Sequence, residues 1–278
     1  MYNHETESNL QLKIVGYFLL GAFTFRINGF ALPLGFLLFL LCFNPTKNRK
    51  IKQRSAYFGL AVFVVQLVTP AVGEYIYEYP RKVAGTSGDV YHLRFTQDWR
   101  AIQGQLQIDP QAHLEDFRAE YLKNGQLKRL SYDLVSHSED GYIHYDIGFS
   151  PEKKEYRVRR HKVGYKWSRF DRTVEAERFF EVLDQVQVRT LSQKQAFEEY
   201  SMISDGELTF YGIKESRKYL IKGNEIKEIT NSELPITGHY FISCGKGYEA
   251  ASGITTTGCD SVVDYFFDVE TTNQAQSE

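Results

Sequence analysis

The 278-residue sequence has little cysteine and lacks the residue patterns of several large enzyme classes. Only three cysteines occur, and two of them, Cys244 and Cys259, lie outside the apolar amino-terminal region. No G-x-S-x-G elbow is present, and the spacing of the histidines suits no metal site. We therefore assign no catalytic residue, no metal and no cofactor from the sequence.

Negative charge outweighs positive charge outside the amino-terminal region. Residues 1–78 carry a net charge of +3 and the remainder carries −5, which together give the formal −2 of the chain. A mildly acidic domain lacks the positive field that general nucleic-acid binding needs, so no nucleic-acid partner is expected. The chain also has no Asn-x-Ser/Thr acceptor with x other than proline, which for an exported domain favours a bacterial source.

Two long apolar runs, residues 14–43 and 55–73, stand apart from this polar background. The second run has no charged side chain, and as a helix it would span about 28 Å, close to the ~30 Å hydrocarbon core of a bilayer. The first run is interrupted near Arg26–Gly29. This break favours a short tilted or interfacial segment over 14–25, followed by a span over 27–43. One long span in which Arg26 reaches the interface is the alternative.

The loop between the two runs, residues 44–54, is basic. It holds five lysines and arginines, and such residues mark the cytoplasmic side of a membrane span. Tyr75, Tyr77 and Tyr79 follow the second run and suit the headgroup layer. The sequence therefore predicts a multi-pass anchor in the cell membrane over residues 1–78. The lipid bilayer is its partner, and the rest of the chain lies outside the cytoplasm.

The exported part shows one order of elements twice. A capped amphipathic helix over 109–124 precedes strands that alternate polar and apolar residues; they include a hairpin that turns at Gly141 and a last strand through Tyr165 and Trp167. A second capped helix over 192–200 precedes another set of strands, with a hairpin that turns at Gly223-Asn224. Another helix, over 173–186, is predicted between them.

This order predicts an α+β fold in which the anchor precedes two helix-plus-antiparallel-sheet units, residues 79–188 and 189–278. The layout is similar to that of cystatin-like and NTF2-like folds, an analogy of element order alone. Fold by itself does not give function.

A basic segment supplies the first candidate site. Residues 153–172 carry a net charge of +7. Arg157 and Arg159 lie two apart and share one face of a strand, and Arg169 is expected on a neighbouring strand. Such a row could hold phosphates, from lipid headgroups or an anionic envelope polymer. A solvated sheet face that is paired with nearby acids is the alternative interpretation.

The cysteines supply the second candidate. Two cysteines fifteen residues apart in an exported domain predict a disulfide between Cys244 and Cys259. The alternative is a thiol enzyme that uses His239 with one of them. The string T-T-T-G-C at Cys259 resembles the Gly-Cys of L,D-transpeptidases and the Thr-x-Thr-Cys of sortases, but no arginine follows in the local motif and the spacing differs. His239 lies five residues before Cys244, which on a strand places the two side chains on opposite faces.

These features favour a non-enzymatic, membrane-anchored accessory or binding protein. Its exported part would contact a partner protein, an envelope polymer or a ligand. An envelope thiol enzyme that acts on peptide crosslinks is the first alternative. A structural subunit of a membrane complex is the second, because the polar break at Arg26–Asn28 interrupts the apolar anchor.

Overall fold

The computed structural model describes residues 7–27, 30–43, 45–164, 167–191, 197–212, 216–248, 255–256 and 263–270. Contacts divide the chain into two compact units, unit 1 (Met1–Tyr77) and unit 2 (Glu78–Glu278). The predicted α+β class is confirmed, since the chain has one long apolar helix and a large β-sheet.

Unit 1 is built from short apolar elements that precede one long helix. Its elements are α1 (Leu10–Ala22), β1 (Phe25–Ile27), β2 (Phe30–Leu32), α2 (Leu34–Leu41) and α3 (Arg49–Glu78). The first apolar run is thus interrupted at Arg26, where β1 and β2 pair as a short antiparallel hairpin. Helix α1 has 13 residues and α2 has 8, about 20 and 12 Å of helix.

Helix α3 has 30 residues and is, within the described part of the chain, the one helix long and apolar enough to cross a membrane. The multi-pass anchor is therefore not supported. The physical reason is length, because neither α1 nor α2 matches the ~30 Å thickness of a bilayer core.

Small residues let the helices of unit 1 approach closely. Gly21 of α1 lies against the backbone of Ala56, and Gly59 of α3 lies against the carbonyl of Phe18. A methyl group at either glycine would collide with the facing backbone. Close approach through small residues is typical of helix pairs in membranes.

The described strands of unit 2 form one sheet with helices on one face. Its elements are β3 (Arg81–Ala84), α4 (Phe95–Leu106), β4 (His113–Leu122), β5 (Leu127–Ser138), β6 (Gly141–Ser150), β7 (Glu155–Val163), α5 (Ala176–Val186), α6 (Val188–Leu191), β8 (Glu199–Ser204), β9 (Thr209–Tyr211), β10 (Arg217–Lys222), β11 (Glu225–Ile229), β12 (Ile236–Tyr248), β13 (Thr255–Thr256) and β14 (Val263–Glu270). The strand order is β11-β10-β14-β12-β8-β4-β5-β6-β7-β3, with β9 and β13 paired to β12. Strands β10 and β14 are parallel, and the other neighbours are antiparallel.

The predicted division between residues 188 and 189 is not confirmed. Strand β4 pairs with β8 over six residues, from Phe117↔Ser204 to Leu122↔Glu199, so the two halves share one sheet. They also share one core, in which large buried side chains from both halves pack together: Trp99, Phe117, Phe179, Phe180, Met202, Phe241 and Phe267.

The predicted helix over 109–124 is wrong, because residues 113–122 form strand β4. Its register against β5 shifts between Leu114 and Asp116. This bulge puts Leu114 and Phe117, three residues apart, on the same buried face. An i, i+3 spacing is also what a helix produces, so the bulge explains the misreading.

The other predicted helices have mixed outcomes. The helix over 173–186 is confirmed as α5, with Phe179, Phe180 and Leu183 buried. The helix over 192–200 is wrong at its end, where β8 begins at Glu199, and residues 192–196 lie outside the described residues. Helix α4 was not predicted, although Phe95, Trp99 and Ile102 repeat at helical spacing.

Two predicted hairpins are confirmed. Strands β5 and β6 are joined through Gly141, and β10 and β11 are joined through Gly223 at a φ of +57°. Glycine adopts this conformation without strain, which fixes the position of the second turn. Of the predicted strand through Tyr165 and Trp167, Tyr165 lies outside the described residues and Trp167 is in no strand.

Candidate anion-binding site

Strand β7 places two arginines on the open face of the sheet. Tyr156 and Val158 are buried beneath the helices, whereas Arg157 and Arg159 are exposed on the opposite face. The period of two in a strand produces this separation, because alternate side chains leave a strand on opposite faces. The structure therefore brings Arg157 and Arg159 together as predicted.

The neighbouring strand leaves room beside these arginines. Arg157 lies opposite Gly148 of β6, and Arg159 lies opposite Asp146. A Cβ built at Gly148 would meet nothing within 4 Å, so the floor beside Arg157 is open. A cavity of about 350 Å³ forms here, which we call the arginine groove; it is lined by Asp146, Gly148, Phe149, Ser150, Lys153, Glu155, Arg157 and Arg159.

The balance of charge in the arginine groove is positive. Glu155 is engaged by Lys82 of β3 at 2.9 Å, which neutralises one of the two carboxylates. Neither Arg157 nor Arg159 forms an ion pair with any residue in the described part of the chain. Two unpaired guanidiniums on one strand, with a hydroxyl and an ammonium nearby, are donors that suit a phosphate or carboxylate ligand.

Arg169 is not part of the arginine groove. It precedes a short 3-10 helix, Phe170–Arg172, and its guanidinium lies 3.8 Å from Glu115 and 4.0 Å from Glu207. It also lies 6.0 Å from the ring of Trp167. The expectation of a neighbouring strand was wrong, because the chain leaves the sheet after Val163.

Sequence reasoning missed the rest of the groove. Gly148, Ser150 and Lys153 surround the turn between β6 and β7, where the chain folds back at Pro151. The signal that could have found them is the register of this hairpin, since Ser150↔Glu155 fixes which residues of β6 face Arg157 and Arg159.

An acidic row borders the groove. Asp116, Asp133 and Asp146 are direct cross-strand neighbours on β4, β5 and β6, and Arg159 continues the row on β7. The pKa of Asp133 is raised to about 6, chiefly by burial; the neighbouring His144 opposes this rise, and Asp146 and Asp116 add to it. The three aspartates lie directly opposite one another and repel when they are ionised, so their negative charge destabilises the folded protein.

A histidine pair lies one row away. His144 Nε2 is 2.9 Å from Glu115 Oε2, and the rings of His144 and His161 are 4.7 Å apart. Burial opposes the charged form of His144, but the Glu115 carboxylate and its acidic neighbours outweigh it and raise its pKa. Burial and His144 together lower the pKa of His161. Within the described residues, no group of three or more side chains could hold a metal ion.

A larger cavity, of about 730 Å³, lies at the amino end of α4. The backbone N–H groups of Phe95 and Thr96 already donate to the carboxylate of Asp184, at 3.0 and 2.9 Å. Because Asp184 occupies the position that an anion would take, this cavity does not offer a second anion site.

The predicted disulfide between Cys244 and Cys259 is not supported within the described residues, because Cys259 lies outside them. Cys244 is buried on β12 and is not a free thiol, whereas Cys42 is free. His239 also offers no base to Cys244. Its Nδ1 lies 3.0 Å from the Gly206 carbonyl, and the register of β12 against β14 is regular from His239 to Ser243, so the odd spacing separates the two side chains.

Comparisons with known proteins assign the family alone. No curated protein and no solved structure matches the chain. A model described as an archaeal family matches residues 97–263, which covers most of α4, most of the sheet and the whole arginine groove. The expected bacterial source is therefore wrong, and the absence of glycosylation acceptors was a weak guide to origin. The chain belongs to this archaeal family.

Proposed function

We propose that this protein is a membrane-anchored binding protein whose sheet holds an anionic ligand in the arginine groove. The observation that carries the proposal is the pair of unpaired guanidiniums, Arg157 and Arg159, beside the open floor at Gly148. Two arginines that only face solvent would need no cavity beside them. A phosphate-bearing polymer or headgroup needs both hydrogen-bond donors and a cavity that admits it.

The anchor in this proposal is α3, crossing once. Its charge-free stretch, residues 55–73, follows the predicted basic loop 44–54, of which residues 49–54 form the first turns of α3. The basic residues favour the cytoplasmic side for this segment and the outer side for unit 2. Protease added to intact cells should then degrade unit 2. Complete protection until the cells are lysed would refute this topology.

Ligand binding is tested with full-length protein in detergent micelles. The probes are inorganic polyphosphate and, after reconstitution, vesicles of phosphatidylglycerol compared with vesicles of phosphatidylcholine. The double variant Arg157→Glu/Arg159→Glu should lose binding to the anionic probes, and wild-type binding should weaken with added salt because the contacts are electrostatic.

A matched control makes the same change of charge elsewhere. Arg189 and Lys222 are exposed and lie outside the groove, so Arg189→Glu/Lys222→Glu should bind almost as wild type does. Equal loss in both double variants would mean that net charge alone governs binding. Equal binding by wild type and Arg157→Glu/Arg159→Glu would mean that the arginines are only solvated surface. Either result would refute the groove as the binding site.

A further inference from the structure

We call the elements α1, β1, β2 and α2 together the apolar hairpin. It begins and ends near the start of α3. We propose that the apolar hairpin inserts among the acyl chains of the leaflet next to the basic loop and does not reach the opposite face of the membrane. This inference rests on the proposed role of α3 as the membrane span.

The contacts of the apolar hairpin with α3 occupy only the first part of that helix. Ser55 Oγ donates to the Ile14 carbonyl at 2.7 Å, and the ring of Phe18 lies 5.8 Å from that of Phe58. From α2, the ring of Phe36 lies 5.4 Å from that of Tyr57. Residues 64–76 of α3 are all exposed.

The spacing of these contacts shows how the hairpin lies. Along the chain from Glu7 to Gly21 the contacts on α3 move from Lys52 to Ala56 and Gly59, and Phe63 is the last buried residue of α3. From the start of the charge-free stretch at Ser55 to Phe63, the helix rises about 12 Å, less than the ~15 Å of one leaflet. Helix α1 therefore crosses α3 obliquely instead of running beside it through the bilayer.

A polar cluster ties the start of α1 to the start of α3. The Glu7 carboxylate lies 2.8 Å from the Nζ of Lys13 and 2.8 Å from that of Lys52, and it accepts a hydrogen bond from Asn48 at 3.1 Å. Lys52 is buried although it is charged. Its carboxylate partner compensates that burial, which holds the amino end of α1 at the basic loop.

The outward faces of the apolar hairpin are apolar as well. Leu12 is 73% exposed on α1, and Leu41 is 81% exposed at the end of α2. Val15, Leu19 and Leu40 are also exposed. Exposed apolar side chains in this number do not face water in a stable protein, and the acyl chains of a leaflet are the partner that fits them.

The test is thiol modification of the full-length protein in sealed membranes. Single replacements Phe25→Cys and Leu32→Cys place a thiol on either strand of the β1–β2 hairpin, where both side chains are exposed. Thr46→Cys, exposed in the basic loop, reports on that side, and Glu139→Cys, in an exposed turn, reports on unit 2. A membrane-impermeant maleimide is applied to intact cells and to inverted vesicles. Each cysteine-bearing peptide is then quantified by mass spectrometry, so the other cysteines do not interfere.

The proposal expects Thr46→Cys to be modified in inverted vesicles and Glu139→Cys in intact cells. Phe25→Cys and Leu32→Cys should stay unmodified in intact cells and should react fully once detergent dissolves the membrane. Modification of either hairpin thiol in intact cells, while Glu139→Cys also reacts there, would overturn the one-leaflet insertion and leave the span intact. Modification of Glu139→Cys only in inverted vesicles would instead refute the topology of the proposed function.

Discussion

At the scale of single residues, the acidic row beside the arginine groove makes the protein sensitive to pH. The folded pKa of Asp133 is about 6, above its ordinary value of 3.8. As the pH falls, Asp133 is therefore protonated near pH 6 in the folded protein but only near pH 4 in the unfolded chain. This residue's contribution to stability rises as the pH falls through that window and is least at pH 7.

Replacing Asp133 with asparagine should therefore stabilise the protein at pH 7. The expected gain is about 1 kcal/mol in the free energy of unfolding, because solvent at this half-exposed site screens much of the repulsion. Chemical denaturation at pH 7 and pH 5 should show the gain at pH 7 and a smaller one at pH 5. The exposed change Glu228→Gln is the control and should alter neither value; a gain of equal size at both pH values would contradict the prediction.

Asp98 behaves differently, because it is buried and its hydrogen bonds are satisfied. Its carboxylate accepts the Thr86 backbone N–H at 3.0 Å and the Tyr156 hydroxyl at 2.9 Å, linking α4 to the segment after β3 and to β7. Burial raises its pKa, and the hydrogen bonds from Tyr156 and Thr86 oppose that rise.

Asp98→Ala should lower the free energy of unfolding by roughly 2–3 kcal/mol, because it leaves the buried Tyr156 hydroxyl and the part-buried Thr86 N–H without their acceptor. Tyr156→Phe removes one donor and keeps the carboxylate bound to Thr86, so it should cost only about 1 kcal/mol. Urea denaturation of both variants measures the two effects. Equal losses would show that the phenol hydroxyl, and not the carboxylate, organises this contact.

At the scale of elements, α3 carries two glycines in opposite environments. Gly59 faces the backbone of α1, whereas a Cβ at Gly73 would meet nothing within 4 Å. An alanine in a helix interior is otherwise favoured over glycine by about 1 kcal/mol. The same substitution should therefore have opposite effects at the two positions.

Gly59→Ala should destabilise unit 1, because its methyl group would force α1 away from α3. Gly73→Ala should be neutral or slightly stabilising. Thermal unfolding in detergent, together with proteolysis of the segment before α1, measures the difference. If both variants behave alike, the close packing of α1 on α3 is not present in solution.

At the scale of the whole molecule, the pairing of β4 with β8 gives the two halves of unit 2 a common sheet and a common main core. Cutting the chain after residue 191 would expose the β4 edge and one side of Phe179, which packs against Phe117 from its own half and Phe241 from the other. Unpaired edges and exposed aromatic cores lead to aggregation.

Residues 79–191 and 192–278, expressed separately, should therefore each fail to fold, whereas 79–278 should unfold in one cooperative transition. Near-ultraviolet circular dichroism and the dispersion of amide resonances distinguish the outcomes. Two independently folded fragments would restore the two-unit organisation that the sequence predicts.

Some of the fold followed from local patterns that no distant contact could change. The charge-free run at 55–73, the face of Phe179, Phe180 and Leu183, and the Gly223 turn each rest on neighbouring residues, and all of them survive in the structure. The same holds for Arg157 and Arg159, because a strand fixes by itself which alternate side chains share a face.

The remaining features depend on partners that are far away in the sequence. The bulge after Leu114 arises from the pairing of β4 with β5, which the residues around Leu114 do not determine by themselves. The two halves form one sheet only because β8 lies beside β4. The groove needs Gly148 opposite Arg157, and the short reach of the apolar hairpin follows from where α1 contacts α3. The sequence by itself determined the composition of each segment and the period of its side chains. Only the tertiary structure decided which segments meet, because strand register and helix crossing are set by packing between distant parts of the chain.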